Sequence, residues 1–108
     1  MTAKYITVYS TFGSAEKAAI AARALVTEKL IACANIIPSA ISVYSWKGKT
    51  EEGQEAVMFA KTQKALFEKV KARILELHDY EVPCIVSLEI SGGDEKFLRW
   101  IEKETAAE

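Results

Sequence analysis

The side chains in this sequence that could bind a metal ion are one histidine, two cysteines and a few carboxylates. His78 is the single histidine, Asp79 and Glu81 follow it closely, and Cys33 and Cys84 complete the set. Imidazole and thiolate groups suit copper and zinc. A structural zinc site usually has four protein ligands at a recognisable local spacing, and this sequence has no such cluster. Any metal site would therefore be weak, shared between subunits, or completed by carboxylates.

The same residues also have simpler interpretations. His78 follows a predicted helix, so it could be a solvated residue whose protonated ring interacts favourably with the helix dipole. Cys33 and Cys84 could be small buried residues of strands. A catalytic cysteine–histidine pair would need one thiol to meet the imidazole, and the spacing does not indicate this. We predict no catalytic residue and expect that the protein is not an enzyme.

A lysine and several aromatic residues are the second group of candidates. Lys61 ends an apolar run, so its side chain either reaches solvent at the sheet edge or anchors an anion in a cleft. Tyr44 and Trp100 are predicted to pack in the core or at an interface. For Trp46 the interface is favoured, because tryptophan is common among the residues that dominate binding at interfaces.

The composition is that of one ordinary folded domain, predicted to span residues 1–108. Fourteen basic and fifteen acidic residues give a net charge of −1, which argues against nucleic-acid and membrane-surface binding. No apolar run has the roughly 18 residues needed to cross a bilayer. Residues 1–9 alternate polar and apolar residues and do not resemble a signal peptide. Two cysteines are too few for a disulfide framework, so a cytoplasmic location is expected.

Hydrophobic periodicity and turn residues divide the chain into four strands and three helices. Ser14 and Asp94 are predicted N-caps, because their side-chain oxygens can accept from free helix amides. Pro38 cannot donate to a strand ladder and predicts a bulge or bend. Gly48 and Gly53 are predicted to bound a polar loop. The predicted strands are 5–12, 31–46, 54–62 and 85–90, and the predicted helices are 15–30, 64–77 and 94–100.

This order predicts an α+β, ferredoxin-like βαββαβ sandwich with an extra C-terminal helix. Two crossover helices would cover one face of the sheet. The second and third strands are apolar on both sides, as at Ile41 and Val43 against Tyr44 and Trp46. A strand with two apolar faces should be buried on both. We therefore expect a second copy of the chain to cover the other face.

Three chemistries often found on this fold lack their residues here. A soft-metal chaperone needs two nearby thiolates in the first strand–helix loop, which here reads 10–14 without cysteine. An RNA-binding sheet needs a basic, glycine-rich aromatic signature on the third strand, which the segment 55–61 does not have. A phosphate-hydrolysing site needs an arginine in the first loop, and the first arginine is Arg23.

Several motifs occur in a characteristic order. They are ACANIIP at 32–38, SVYSWKGK at 42–49, the strand at 55–62, HDYEVP at 78–83 and FLRWI at 97–101. With these motifs the chain resembles the CutA divalent-cation tolerance family over about residues 5–101.

The resemblance implies a ferredoxin-like subunit in a tight homotrimer, a role in tolerance of divalent metals, copper especially, and a likeness to PII-type signalling trimers. It implies no known reaction, and it leaves any partner protein open. The residues it assigns to a cleft between subunits are Cys33, Trp46, Lys61, His78 and Tyr80.

The sequence departs from the family pattern at soft ligand positions. Some members have a cysteine where Ser10 stands and a second histidine where Leu77 stands, so His78 is the one matching metal ligand. Cys84 stands where an acidic residue is common and could be a substitute thiolate.

Two hypotheses follow. The first is a trimer that binds copper or another divalent cation through His78. The second is a PII-like trimer that senses a small molecule or an anion in a cleft formed by Lys61, Trp46 and Tyr80.

Overall fold

A computed structural model describes residues 3–105, so the first two and last three residues of the predicted domain lie outside it. The strands are β1 (Tyr5–Phe12), β2 (Cys33–Trp46), β3 (Lys49–Gln63) and β4 (Ile85–Ile90). The helices are α1 (Ala15–Thr27), α2 (Phe67–Leu77) and α3 (Glu95–Glu104), with a 3-10 turn at Lys64–Leu66 before α2. The predicted βαββαβ order with an extra C-terminal helix is confirmed.

The four strands form one antiparallel sheet in the order β2-β3-β1-β4. Helices α1 and α2 pack on one face of it. The alanines Ala18 and Ala21 are buried against the sheet, because their small side chains let α1 approach its strands closely. Ile6, Val8 and Met58 are fully buried under the helices. This face carries the hydrophobic core.

The opposite face of the sheet, which we call the open face, is largely bare in a single chain. Helix α3 covers one corner of it, where Tyr5 donates to Glu102 over 2.8 Å and Gln63 donates to Thr105 over 2.7 Å. Tyr5 and Gln63 are register partners beside the buried Ile6 and therefore point away from the core. Elsewhere the open face exposes apolar side chains, including Ile37, Val86 and Leu88.

The predicted helix caps and bulge are confirmed. Ser14 accepts a hydrogen bond from the Lys17 amide, and Asp94 accepts one from the Phe97 amide, each over 3.1 Å. The β2–β3 register shifts between Ile37 and Ala40, on either side of Pro38. One extra residue in β2 reverses its side-chain alternation from that point onward.

The predicted polar loop between Gly48 and Gly53 is wrong. Strand β3 begins at Lys49, and Gly53 pairs with Ser42 inside the ladder. The connection is a two-residue turn in which Lys47 has φ +50° and Gly48 has φ +80°. Positive φ at both positions is the type I′ geometry, which matches the twist of the flanking strands.

Helix boundaries differ modestly from the prediction. Helix α1 ends at Thr27, since Lys29 takes a positive φ of 62° and turns the chain toward β2. Helix α2 begins at Phe67 instead of Lys64, and α3 runs past Trp100 to Glu104. The described part of the chain has no helix with the length and apolar character needed to span a membrane.

Candidate functional site

A concavity lies between the far half of the β2–β3 hairpin and the segment before β4. We call it the Tyr80 groove, and its volume is about 760 Å³. That volume is in the range of small-molecule sites. Its lining residues are Tyr9, Thr11, Ser42, Val43, Tyr44, Ser45, Trp46, Gly53, Gln54, Glu55, Tyr80, Glu81, Val82 and Cys84.

His78 is the C-cap of α2, and its side chain is 1% exposed. Its Nε2–H donates to the Thr11 carbonyl over 2.7 Å, and its Nδ1 accepts from the Tyr80 amide over 3.2 Å. The two contacts assign the neutral Nε2–H tautomer. The ring also stacks on Phe12, with centroids 4.5 Å apart. The interpretation as a solvated residue is therefore wrong, because the chain after α2 turns inward and the ring holds the end of β1 to the segment that carries Tyr80.

Tyr80 and Glu55 form the polar centre of the groove. The Tyr80 hydroxyl donates to Oε2 of Glu55 over 2.8 Å. Burial, with a smaller contribution from Glu55, raises the pKa of Tyr80 well above its ordinary value. The phenol therefore keeps its proton, and the negative charge stays on Glu55.

Asp79 sits at the edge of this arrangement. Its carboxylate pairs with Lys17 of α1 over 2.5 Å, and Oδ1 is 3.8 Å from Nδ1 of His78. The hydrogen bond from Lys17 lowers the pKa of Asp79. Both side chains of the Lys17–Asp79 pair are about half exposed, so the ion pair adds little to stability. Its main effect is to fix the position of Asp79.

Cys84 closes the groove next to β4. Its backbone carbonyl accepts a hydrogen bond over 2.7 Å from the hydroxyl of Ser10, which is fully buried. Partial desolvation of the sulfur raises the pKa of the Cys84 thiol, and the nearby Glu55 charge raises it further. The thiol is thus mainly protonated at neutral pH.

A single chain brings the predicted cleft residues together in two separate groups. Trp46 and Tyr80 line the Tyr80 groove, and His78 lies beneath Tyr80 with ring centroids 4.6 Å apart. Cys33 and Lys61 are register partners further along the hairpin and do not line the groove. Lys61 donates to the Asn35 side chain over 2.5 Å, which holds the ammonium on the open face. A cleft that joins both groups would need a second chain.

Among residues 3–105, no three or more histidine, cysteine, aspartate or glutamate side chains gather as a metal site. Sequence reasoning named Glu81 as a possible metal ligand, and Glu81 lines the groove, but it missed Glu55 and Thr11 as site residues. The signal for Glu55 was its position in the β3 alternation, two residues from Val57 and on the face of Tyr44 and Trp46. Using that signal required the register after the Pro38 bulge, which sequence alone does not provide.

Comparison with known proteins gives one consistent result. The model of the family described as "CutA1 divalent ion tolerance protein" matches residues 6–104. The chain is 43% identical over 98 residues to the "Divalent-cation tolerance protein CutA" of Thermus thermophilus, covering 91% of this chain and 95% of that protein. The crystal structure of CutA1 from Oryza sativa superposes with a TM-score of 0.94 at 34% identity, covering 99% and 98% of the two chains.

Plant relatives are longer than this chain. It is 38% identical over 104 residues to the Arabidopsis thaliana "Protein CutA, chloroplastic", which covers 96% of this chain and 57% of that protein. The chain therefore spans little more than half the length of that relative.

Proposed function

The chain belongs to the CutA1 divalent ion tolerance family, and on that premise we propose that it is a homotrimer that binds copper or a related divalent cation and contributes to metal tolerance. The proposal that the chain assembles with copies of itself is supported by the open face, which exposes apolar side chains that a folded subunit would normally bury. Among the described residues of one chain, the side chains that could ligate a metal do not form a complete site, so a metal site would need ligands from more than one chain.

The open face has the composition of an obligate interface. Ile37, Val86 and Leu88 on this face are 48%, 46% and 51% exposed. Ile41 and Val43, on the other face of the hairpin and beyond the reach of the helices, are 73% and 63% exposed. Large apolar side chains that are this exposed mark surfaces on which another chain can pack. Obligate interfaces commonly bury more than about 2,000 Å² in total.

Light scattering at micromolar concentration tests the assembly. We expect a mass three times the 11.9 kDa of one chain, unchanged on dilution over two orders of magnitude. A mass near that of one chain would refute the trimer without bearing on metal binding.

The metal site is proposed to combine donors from more than one chain. The prediction that His78 ligates copper requires the ring to release Thr11 or the Tyr80 amide, because both nitrogens are engaged. Cys84 lies at the groove surface close to the Glu55 carboxylate, so it offers a soft donor beside a hard one. We therefore expect Cys84 to contribute more to metal affinity than His78.

The pH dependence of metal affinity separates the two donors. A thiol must lose its proton to bind, and the pKa of Cys84 is raised, so affinity through Cys84 should increase steadily through pH 8 and beyond. Affinity through an imidazole would level off about one unit above its free pKa of ~6.5.

Calorimetric titration with Cu²⁺, and with Zn²⁺ because thiols reduce Cu²⁺, measures this affinity in the parent, Cys84→Ser and His78→Gln. Cys33→Ser is the matched control for loss of a thiol. We expect affinity no better than micromolar and the largest loss in Cys84→Ser. If metal affinity fell only in His78→Gln, and the affinity of the parent stopped rising above about pH 7.5, His78 would be the ligand. No binding by the parent would refute the metal function.

The PII-like alternative draws support from the Tyr80 groove, whose volume suits a small molecule. An anion in the groove has less support, because none of the described residues that line it in one chain is a lysine or arginine, and Lys61 lies elsewhere on the open face.

A further inference from the structure

Two side chains of opposite charge lie at opposite ends of the open face along β3. Glu55 lies at the Tyr80 groove, where its carboxylate accepts a hydrogen bond from the Tyr80 hydroxyl. Lys61 lies near the other end of the strand, where its ammonium donates to the Asn35 side chain. Among residues 3–105, neither charge has an ion-pair partner. A neutral group therefore holds each charge in position without neutralising it.

These two charges cannot pair within one chain. Positions 55 and 61 belong to the same continuous strand, and their separation along it is about 20 Å. An ion pair needs its charged atoms within about 4 Å of each other. A counter-charge for either side chain must therefore come from another molecule.

The surface between the two charges is apolar. Val57 and Phe59 lie between them on the same face, and the Phe59 ring packs edge-on against Tyr9 with centroids 5.4 Å apart. On β4, Val86 and Leu88 point to the same side of the sheet and are about half exposed. The open face thus has a negative end, an apolar middle and a positive end. Such a surface is complementary to a copy of itself placed head to tail.

Burial of the open face would create a strong requirement for counter-charges. The proposed homotrimer removes this face from water, and a carboxylate or ammonium that loses water without gaining a partner opposes association. A small counter-ion would neutralise one end and leave the apolar middle exposed. A second copy of the chain covers the middle and brings the missing charge to each end in the same contact.

We propose that Lys61 of one chain forms an ion pair with Glu55 of the next, so that the neighbouring chain supplies a cation to each Tyr80 groove. This inference rests on the proposed homotrimer and specifies which ends of its chains meet. The contact is heterologous, because each chain offers its Lys61 end to one neighbour and its Glu55 end to the other, and three such contacts close a ring. Tyr80 is then a positioning residue, since its hydroxyl holds the carboxylate that receives the ammonium.

Charge reversal tests the pair, with subunit exchange as the measurement. Isotope-labelled and unlabelled proteins are mixed at micromolar concentration, and native mass spectrometry follows the appearance of mixed trimers. Lys61→Glu and Glu55→Lys each place like charges opposite each other at every interface. Each single variant should therefore exchange at least about tenfold faster than the parent, or lose the trimer mass altogether.

The double variant Lys61→Glu/Glu55→Lys separates a contact between chains from effects within one chain. Opposite charges again meet at every interface, so exchange should return to within about threefold of the parent rate. The double variant also loses both local hydrogen bonds, the one to Asn35 and the one from Tyr80. If the charges acted only within their own chain, the double variant would be at least as impaired as the worse single variant.

Lys61→Glu/Glu52→Lys is the matched control. It makes the same two changes of residue type on the same strand and keeps the net charge of the parent. Glu52, however, pairs with Val43 and points to the other face of β3. This control should exchange as fast as Lys61→Glu alone.

Should a reversal fail to fold, the neutral variants Lys61→Gln and Glu55→Gln test the same contact. Each should speed exchange by leaving one buried charge without its partner. The double neutral variant should exchange no faster than the faster single variant, because its second change removes a charge that has already lost its partner. Fully additive effects would contradict the ion pair.

With a trimeric parent, parent-like exchange by both single reversals would overturn the inference. So would a double reversal as fast as the worse single variant although its circular dichroism matches the parent. Equal restoration by Glu52→Lys would also overturn it, because net charge alone would then explain the effect. A parent with the mass of one chain would instead refute the proposed homotrimer, and this inference with it.

Discussion

The buried polar groups around His78 hydrogen-bond β1 to the segment that follows α2, a role that their residue types alone do not indicate. Ser10 occupies a core position of β1, yet it is satisfied because its hydroxyl donates to the Cys84 carbonyl. His78 similarly satisfies the Thr11 carbonyl. Each contact joins the end of β1 to the segment between α2 and β4. Together they explain how a segment without regular secondary structure holds Tyr80 and Cys84 in place.

The first prediction concerns the stability contribution of His78 in the absence of metal. His78→Ala leaves the Thr11 carbonyl without its partner and removes the stack on Phe12. An unsatisfied buried group costs about 1–3 kcal/mol, so the free energy of unfolding should fall by about 2–3 kcal/mol in EDTA. Urea denaturation at one fixed protein concentration measures this.

Lys69→Ala is the control, because Lys69 is exposed on the neighbouring helix and should change stability by less than about 0.5 kcal/mol. If His78→Ala lowered the free energy of unfolding as little as Lys69→Ala, the His78 ring would not be what holds the segment between α2 and β4 to β1.

At the level of elements, the β2–β3 hairpin is the feature that sequence reasoning described least well. Its two-residue turn predicts that Gly48→Ala is destabilising by about 1–2 kcal/mol, since Gly48 has φ +80° and a Cβ is unfavourable there. Lys47→Asn should be neutral or stabilising by a few tenths, because asparagine tolerates this conformation better than lysine. Chemical denaturation measures both effects.

Gly92→Ala is the matched control for Gly48→Ala. Gly92 has no positive φ, and a Cβ there meets no atom within 4 Å. Equal effects at the two positions would mean that backbone strain in the turn is not the cause.

Helix α3 provides a pH prediction. The hydrogen bond from Lys4, and then that from Tyr5, lowers the pKa of Glu102 below its ordinary value of 4.5. A carboxylate with a lowered folded pKa stabilises the fold at neutral pH, and this contribution is lost as the pH falls through 4.5 and below. Glu102→Gln should therefore be less stable than the parent at pH 7, and the difference should shrink toward pH 3.

Melting temperatures of both proteins from pH 3 to pH 7 measure the difference. Glu104→Gln on the same helix is the control and should follow the parent throughout. A constant difference between Glu102→Gln and the parent at all pH values would mean that the charge of Glu102 is not what holds the helix.

Sequence periodicity was sufficient for the order of the elements and insufficient for the site. Strands β1 and β4 and both side-chain caps are local features, so short windows of sequence predicted them correctly. The register of β2 against β3 depends on one extra residue beside Pro38, and that residue decides which face Trp46 shares with Glu55. The hydrogen bond between His78 and Thr11 joins residues 67 positions apart, which no local pattern encodes.

At the scale of the whole molecule, the two faces of the sheet differ in what covers them. Helices α1 and α2 complete the core on one side, and α3 reaches one corner of the other. A domain of about 100 residues buries a limited fraction of its surface, so an uncovered apolar face is a substantial cost for an isolated subunit. Assembly would remove that cost.

The last prediction tests whether the open face is the assembly interface. Leu88 pairs with Thr7 and points to the open face, whereas its neighbour Ser87 pairs with the buried Val8 and points to the other side. Leu88→Glu places a charge on the apolar patch and should dissociate the assembly at micromolar concentration, seen as a lower mass by light scattering. Ser87→Glu adds the same charge to the same strand and should keep the parent mass.

Should Leu88→Glu fail to fold, the milder Leu88→Ala should give a melting temperature that depends on protein concentration more steeply than that of the parent. A Leu88→Glu protein with parent mass and parent melting temperature would show that the subunits meet elsewhere, and the exposed apolar residues of β4 would then need a different partner.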